Sequence, residues 1–165
     1  MLSSEAFKRC VGSFPTGVAV VTATAADGTP VGVTVSSLTS VSLEPPLILF
    51  CLDKRALSLH AFSESRQFRV HVLAGEQAAM AMRFARRGIA KFAEPRHADA
   101  DGGPPRLPDT HASMLCETAH EYDAGDHVIL VGQVMAVESG DGDDPLVYHR
   151  GRFGHFASDL PVQRA

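Results

Sequence analysis

Apolar residues at Phe7, Cys10, Val11 and Phe14 recur at helical spacing. They predict one short amphipathic helix, with Ser3 or Ser4 as its cap and Gly12 and Pro15 as its terminators. From Gly17 the period changes. Val18-Ala19-Val20-Val21-Thr22, the Asp27-Gly28 turn and then Val31, Val33 and Val35 read as a β-branched hairpin. A hydroxyl-rich stretch, Ser36-Ser37-Leu38-Thr39-Ser40, follows and leads to Pro45-Pro46, after which Leu47 to Leu52 reads as a strand buried on both faces. Ala56 to Phe62 predicts a short helix. Phe68, Val70 and Val72 alternate with Arg69 and His71, the pattern of a strand with one wet face.

Gln77 to Phe84, rich in Ala and Met, predicts a second main helix. Glu94 to Pro108 gathers Pro95, Pro104, Pro105 and Pro108 with Gly102 and Gly103, which opposes regular structure and predicts a surface excursion, mobile or folded over a site. Leu115 to Tyr122 and Val128 to Val137 read as strands joined by Asp123-Ala124-Gly125. Leu146 to Tyr148 pairs with Phe153 to Phe156 across Arg150-Gly151. Strands in hairpins with only short helices point to a mainly β protein, an antiparallel barrel or sandwich, instead of alternating βαβ units.

A chain of 165 residues, 45% of them apolar, is the size of a single domain, here taken as 1–165. A net charge of −4 lacks the basic excess that draws a protein to nucleic acid or an anionic membrane. The longest apolar run, Leu47 to Leu52, is far short of the roughly 20 residues that cross a bilayer, and Met1 to Cys10 has no apolar signal core. A soluble, cytoplasmic protein is expected. Cys10, Cys51 and Cys116 are odd in number and far apart, so reduced thiols are expected in place of a disulfide framework or a zinc knuckle.

The chain has no GxGxxG after a strand, no GxxxxGK[ST], no HExxH and no GxSxG. Gly140-Asp141-Gly142-Asp143-Asp144 lacks the alternating ligands of a calcium loop and reads as a tight turn. The histidines form no pair at ligand spacing, so no metal site is expected. Residues 34–42 hold Thr34, Ser36, Ser37, Thr39, Ser40 and Ser42, and such hydroxyls with backbone N–H groups can grip a phosphate without a lysine, though a solvated turn has the same composition. Arg83, Arg86, Arg87 and Lys91 make a second anion-compatible patch, equally readable as a charge-complemented helix end. His127 follows Gly125-Asp126 at a strand start, where a barrel rim would expose it. Tyr148, Phe153 and Phe156 could wall a planar ligand or fill a core.

Together these segments resemble the flavin reductase-like family of FMN-binding split barrels, NAD(P)H-dependent reductases that supply reduced flavin to two-component monooxygenases. Five stretches carry the resemblance from about Phe7 to Phe156: Phe14 to Thr22; Gly32 to Pro46; Phe50 to Lys54 with Ser58; Gly125-Asp126-His127; and Pro145 to Tyr148 ahead of Gly151-Arg152-Phe153. The second is the most specific. The resemblance implies an antiparallel split β-barrel with short flanking helices and places Thr34, Val35, Ser36 and Ser37 along the isoalloxazine ring. It assigns Ser37, Thr39 and Ser40 to the ribityl and phosphate region, Cys51 and Leu52 to backbone contacts, and Ser58 to the phosphate. Arg83, Phe84 and Lys91 match the segment many members use near the phosphate. His127 matches the histidine that faces the nicotinamide, and Tyr148 a residue beside the pocket. Many members carry Asn where this chain has Ser36, which implies a shorter or water-mediated hydrogen bond to the flavin edge.

The implied function is an NAD(P)H:flavin oxidoreductase that uses FMN, with FAD possible, and NADH or NADPH. A homodimer and a separate oxygenase partner are implied with it. Hydride transfer asks chiefly for stacking of the nicotinamide on the flavin, so His127 is expected to orient the nicotinamide carboxamide or the pyrophosphate and not to donate a proton. The alternatives are a tightly flavin-bound electron carrier, a reductase of iron or another acceptor, and a non-enzymatic flavin-binding barrel.

Overall fold

The computed structural model describes residues 2–87, 90–92, 103–140, 142 and 144–157. Its first helix, α1 (Ser4–Val11), begins at Ser3, whose hydroxyl accepts the Ala6 N–H at 3.1 Å, and ends at Gly12. A two-residue strand, β1 (Thr16–Gly17), too short for periodicity to mark, precedes β2 (Ala19–Thr24) and β3 (Pro30–Val35). Their tight turn needs Gly28, which sits at φ 83°. Next come β4 (Thr39–Leu43), β5 (Pro46–Asp53), α2 (Leu59–Glu64), β6 (Gln67–Val72), a 3-10 turn at Gly75–Gln77 and α3 (Ala78–Ala85). The long strands β7 (Ala112–Ala124) and β8 (His127–Ser139) and the hairpin β9 (Leu146–His149) with β10 (Arg152–His155) follow.

All pairings are antiparallel. One sheet has the order β3-β2-β6-β7-β8-β5-β4 and a second the order β1-β9-β10. Val21, Val35, Phe50, Phe68, Cys116 and Leu130, from six strands of the larger sheet, meet in one interior, so that sheet is rolled into a barrel. Phe50 lies at its centre with Phe62 and Phe68 edge-on at 5.9 and 5.3 Å. A smaller core of Val18, Val20, Leu73, Ala81, Phe84, Leu107 and Leu146 lies outside it and seats α3 and β9. β2 is therefore covered on both sides, which explains its nearly unbroken apolar run.

Four expectations change. The hydroxyl-rich segment contains an edge strand, β4, with a register shift between Ser40 and Ser42; its side chains bury little, so no periodic signal marks it. β5 buries Ile48, Phe50 and Leu52, while Leu47, Leu49 and Cys51 on its other face stay half-buried. β6 has no wet face: Arg69 and His71 are buried. α2 starts at Leu59, three residues later than predicted from Ala56, because a turn from Asp53 through Ala56 comes first.

The predicted excursion from Glu94 to Pro108 lies partly outside the described residues. Its described part, 103–108, is a strap across β2 and β6. Thr22 Oγ1 donates to Pro105 O (2.7 Å), Thr24 Oγ1 to Gly103 O (3.1 Å) and Gln77 Nε2 to Pro108 O (3.0 Å). Among the described residues no helix is long and apolar enough to cross a membrane.

Candidate functional site

A cleft of about 770 Å³ opens between β3, the C-terminal end of β5, the approach to α2 and the C-terminal end of α3. Val31, Val33, Leu52, Ala56 and Phe84 give it apolar walls. Gly32 lets the Phe84 ring press on β3: a Cβ there would lie 2.6 Å from the ring. Phe92 packs edge-on against Phe84 at 5.2 Å and closes that end.

Thr34, Val35, Ser36 and Ser37, which the resemblance aligns with the ring, all line the cleft. Their hydroxyls are not equivalent. Thr34 Oγ1 donates to Ala81 O at 2.6 Å, tying β3 to α3. Ser37 Oγ accepts the Cys51 N–H at 2.9 Å, tying the end of β3 to β5. Among the described residues the hydroxyls of Ser36 and Ser58 have no hydrogen-bond partner and are left to meet a ligand. Cys51 and Leu52 also line the wall, as does Phe84.

Lys91 lines the cleft, but its ammonium is already engaged. It donates to Gly32 O (2.9 Å) and Phe84 O (2.8 Å), and burial lowers its pKa. It latches the end of α3 to β3 and keeps one proton spare. The exposed cations at the rim are Arg86 and Arg87, just past α3. Arg83, from the same cluster, does not line the cleft; it lies on a turn of α3 that faces elsewhere. Thr39 and Ser40 also lie outside it, exposed on the edge strand β4. So does Tyr148, which belongs to the small sheet and packs beside Phe153 at 5.6 Å.

His127, the first residue of β8, also lines the cleft, held in register with Asp53 on β5 and Ala124 on β7. Its Nδ1 is 2.7 Å from Asp126 Oδ1. Asp53, unmarked in the sequence reading except as a neighbour of the matched Leu52, also lines the cleft. It takes hydrogen bonds from the Arg55 side chain (2.8 and 3.1 Å) and backbone N–H, which hold its carboxyl well below the usual range. Ala56, Leu57, Ala90 and Phe92 also line it, with no sequence signal beyond apolarity. Of the thiols, Cys116 is buried and pushed up to about 12 by that burial, so it is inert. Among the described residues no three His, Cys, Asp or Glu side chains converge as metal ligands.

The cleft thus brings together apolar walls, hydroxyls without a protein partner among the described residues, two exposed arginines and a histidine, an arrangement suited to a planar ring with an anionic tail. Residues 11–157 match the model of the flavin reductase like domain. The chain is 44% identical over 155 residues to FMN reductase (NADH) SmoA of Agrobacterium fabrum, covering 94% of this chain and 87% of that one. It is 39% identical to the reductase component of 4-nitrophenol 4-monooxygenase/4-nitrocatechol 2-monooxygenase of Rhodococcus opacus, covering 94% and 82%. Its fold superposes with a TM-score of 0.88 on the NADH:FAD oxidoreductase SgcE6 of Streptomyces globisporus, solved with NAD and FAD fragments, at 32% identity over 98% and 99% of the two chains. With its split-barrel fold, the chain belongs to the flavin reductase like domain family.

Proposed function

We propose that this chain takes hydride from a reduced nicotinamide dinucleotide, delivers it to FMN or FAD held in the cleft, and hands the reduced flavin to a separate oxygenase. The observation that carries the reading is the donor set. Apolar walls, two hydroxyls partnerless among the described residues, two exposed arginines and His127 line one cleft. The names of the two curated relatives support the nicotinamide, the flavin and the oxygenase.

The residues fit the flavin. Thr34, Val35, Ser36 and Ser37 run along the ring, and Cys51 and Leu52 offer backbone groups. Ser58 meets the phosphate, with Arg86, Arg87 and the spare proton of Lys91 around it. Bound flavin supplies a two-electron acceptor, the hydride bringing the electron pair from the nicotinamide and solvent the remaining proton. The side chains position the reactants, and none is required as an acid or base. His127 orients the nicotinamide.

The reading extends to one domain over 1–165, a homodimer and a cytoplasmic setting in keeping with three free cysteines. A steady-state assay that crosses NADH and NADPH with FMN, FAD and riboflavin tests it. Nicotinamide oxidation that depends on added flavin is expected. No oxidation with any flavin would sink the proposal, and protein that stays yellow through dialysis yet reduces no free flavin would replace it with an electron carrier.

A further inference from the structure

The turn that presents His127 is fixed from three sides. Gly125 takes φ 70°, the Lys54 N–H donates to Asp126 O at 3.0 Å, and His127 pairs with Ala124 on β7 and Asp53 on β5. Asp53 and Asp126 both act on the ring electrostatically, and Asp123 lies on the same turn. Among the described residues, Asp53 is bound to Arg55 and Asp123 to Lys54, so Asp126 is the carboxylate that contacts His127. The Asp126 side chain is 85% exposed and His127 43%, and a pair so open to water adds little to stability. Its effect is on the ring. A carboxylate can only accept, so the 2.7 Å contact puts a proton on Nδ1, and neutral imidazole then carries its lone pair on Nε2.

We propose that Asp126 is a positioning residue that locks His127 in the Nδ1–H tautomer, so that Nε2 accepts an N–H of the nicotinamide carboxamide. The inference rests on the reading that His127 meets the nicotinamide, and it names the atom that does so. It also gives the cleft a chemical preference: a dinucleotide with a carboxamide is favoured over one with an acetyl group there, which has the carbonyl but no N–H.

The test compares the native chain, Asp126→Ala and His127→Ala, using NADH and the reduced 3-acetylpyridine analogue, with nitrogen-15 NMR of the histidine rings. The His127 signals are identified by their loss in His127→Ala. In the native protein His127 shows the Nδ1–H pattern, and in Asp126→Ala it moves toward the Nε2–H form usual for free histidine. The KM for NADH rises about tenfold in Asp126→Ala, kcat at saturation moves less than about twofold, and KM for the acetylpyridine analogue is unmoved. An unchanged tautomer in Asp126→Ala, or an equal rise in KM for both dinucleotides, overturns the role of Asp126. If His127→Ala leaves the KM for NADH unchanged, the parent reading of His127 fails instead.

Discussion

A hydroxyl's chemistry is set by what already holds it. Of the four alcohols between Thr34 and Ser58 that line the cleft, two are committed to the fold and two have no partner among the described residues. Thr34 is bound to Ala81 O and Ser37 to the Cys51 N–H, whereas the Ser36 and Ser58 hydroxyls have no partner among the described residues. Replacing Ser58 by Ala should therefore raise the KM for FMN by about tenfold or more, since a hydrogen bond to a charged group is worth about 1.5–3 kcal/mol. The KM for riboflavin, which has no phosphate, should stay put. Replacing Thr34 by Val should act on the fold: it strips a partner from Ala81 O at a cost of about 1–3 kcal/mol, seen as a thermal midpoint lowered by a few degrees. If Thr34→Val shifts the flavin KM while Ser58→Ala only lowers the midpoint, the sorting is wrong. The sequence displays all of these hydroxyls alike. Which ones are occupied depends on where α3 and β5 cross the end of β3, and no local pattern encodes that crossing.

The strap at 103–108 shows the same limit for whole elements. Alternation along Phe68 to Val72 predicts a strand correctly, but its polar positions look wet only until the strap is laid over them. His71 Nδ1–H donates to Val20 O at 3.2 Å, and Nε2 accepts the Leu107 N–H at 3.1 Å, so neutral imidazole joins β2, β6 and the strap. Burial above all pushes its pKa down to about 3. The unfolded chain takes up this proton near pH 6.5 and the folded chain does not. The stabilisation is thus complete above about 6.5 and is lost as pH falls toward 3, by up to about 1.4 kcal/mol per pH unit. Urea unfolding between pH 7.5 and 4.5 should show a shallower decline in His71→Gln than in the native chain, whatever the variant's absolute stability. Equal slopes would mean that His71 takes up its proton in the fold. The elements that were legible, α1, the β2–β3 hairpin and β7 with β8, are those whose periodicity or turn residues are local. Lys91 was legible as a cation, but not as the latch its two carbonyl partners make of it.

At the scale of the molecule, one surface is left unfinished. The run from Leu47 to Leu52 is apolar enough to be covered on both faces, yet in the single chain Leu47 and Leu49 remain half-buried. On the neighbouring strands Leu43 is 88% exposed, Val137 71% and Met135 51%. Register places Leu43 opposite Pro46 and Leu47 opposite Gln133, so β4 and the start of the exposed part of β8 lie at the same end of the sheet. Scattered apolar residues need no explanation, but several on neighbouring strands suit an interface, and under the dimer proposed above a second copy of this chain is its occupant. A patch of about 800 Å² per partner would suffice. Thr39 and Ser40 lie on the same edge strand, outside the cleft of their own chain, so a partner seated against β4 offers a route by which the placement of these hydroxyls near flavin can hold. The double variant Leu43→Glu and Met135→Glu buries charge at such a contact and should raise the dimer dissociation constant at least thirtyfold, for a cost of about 2 kcal/mol or more. Sedimentation at micromolar concentration should then report a monomer of 17.6 kDa in place of a species of twice that mass. If Thr39 and Ser40 serve the partner's flavin, the same variant loses flavin affinity along with the dimer. A native chain that already sediments as a monomer would refute the interface, and a monomeric variant with its flavin KM intact would leave each cleft complete within its own chain.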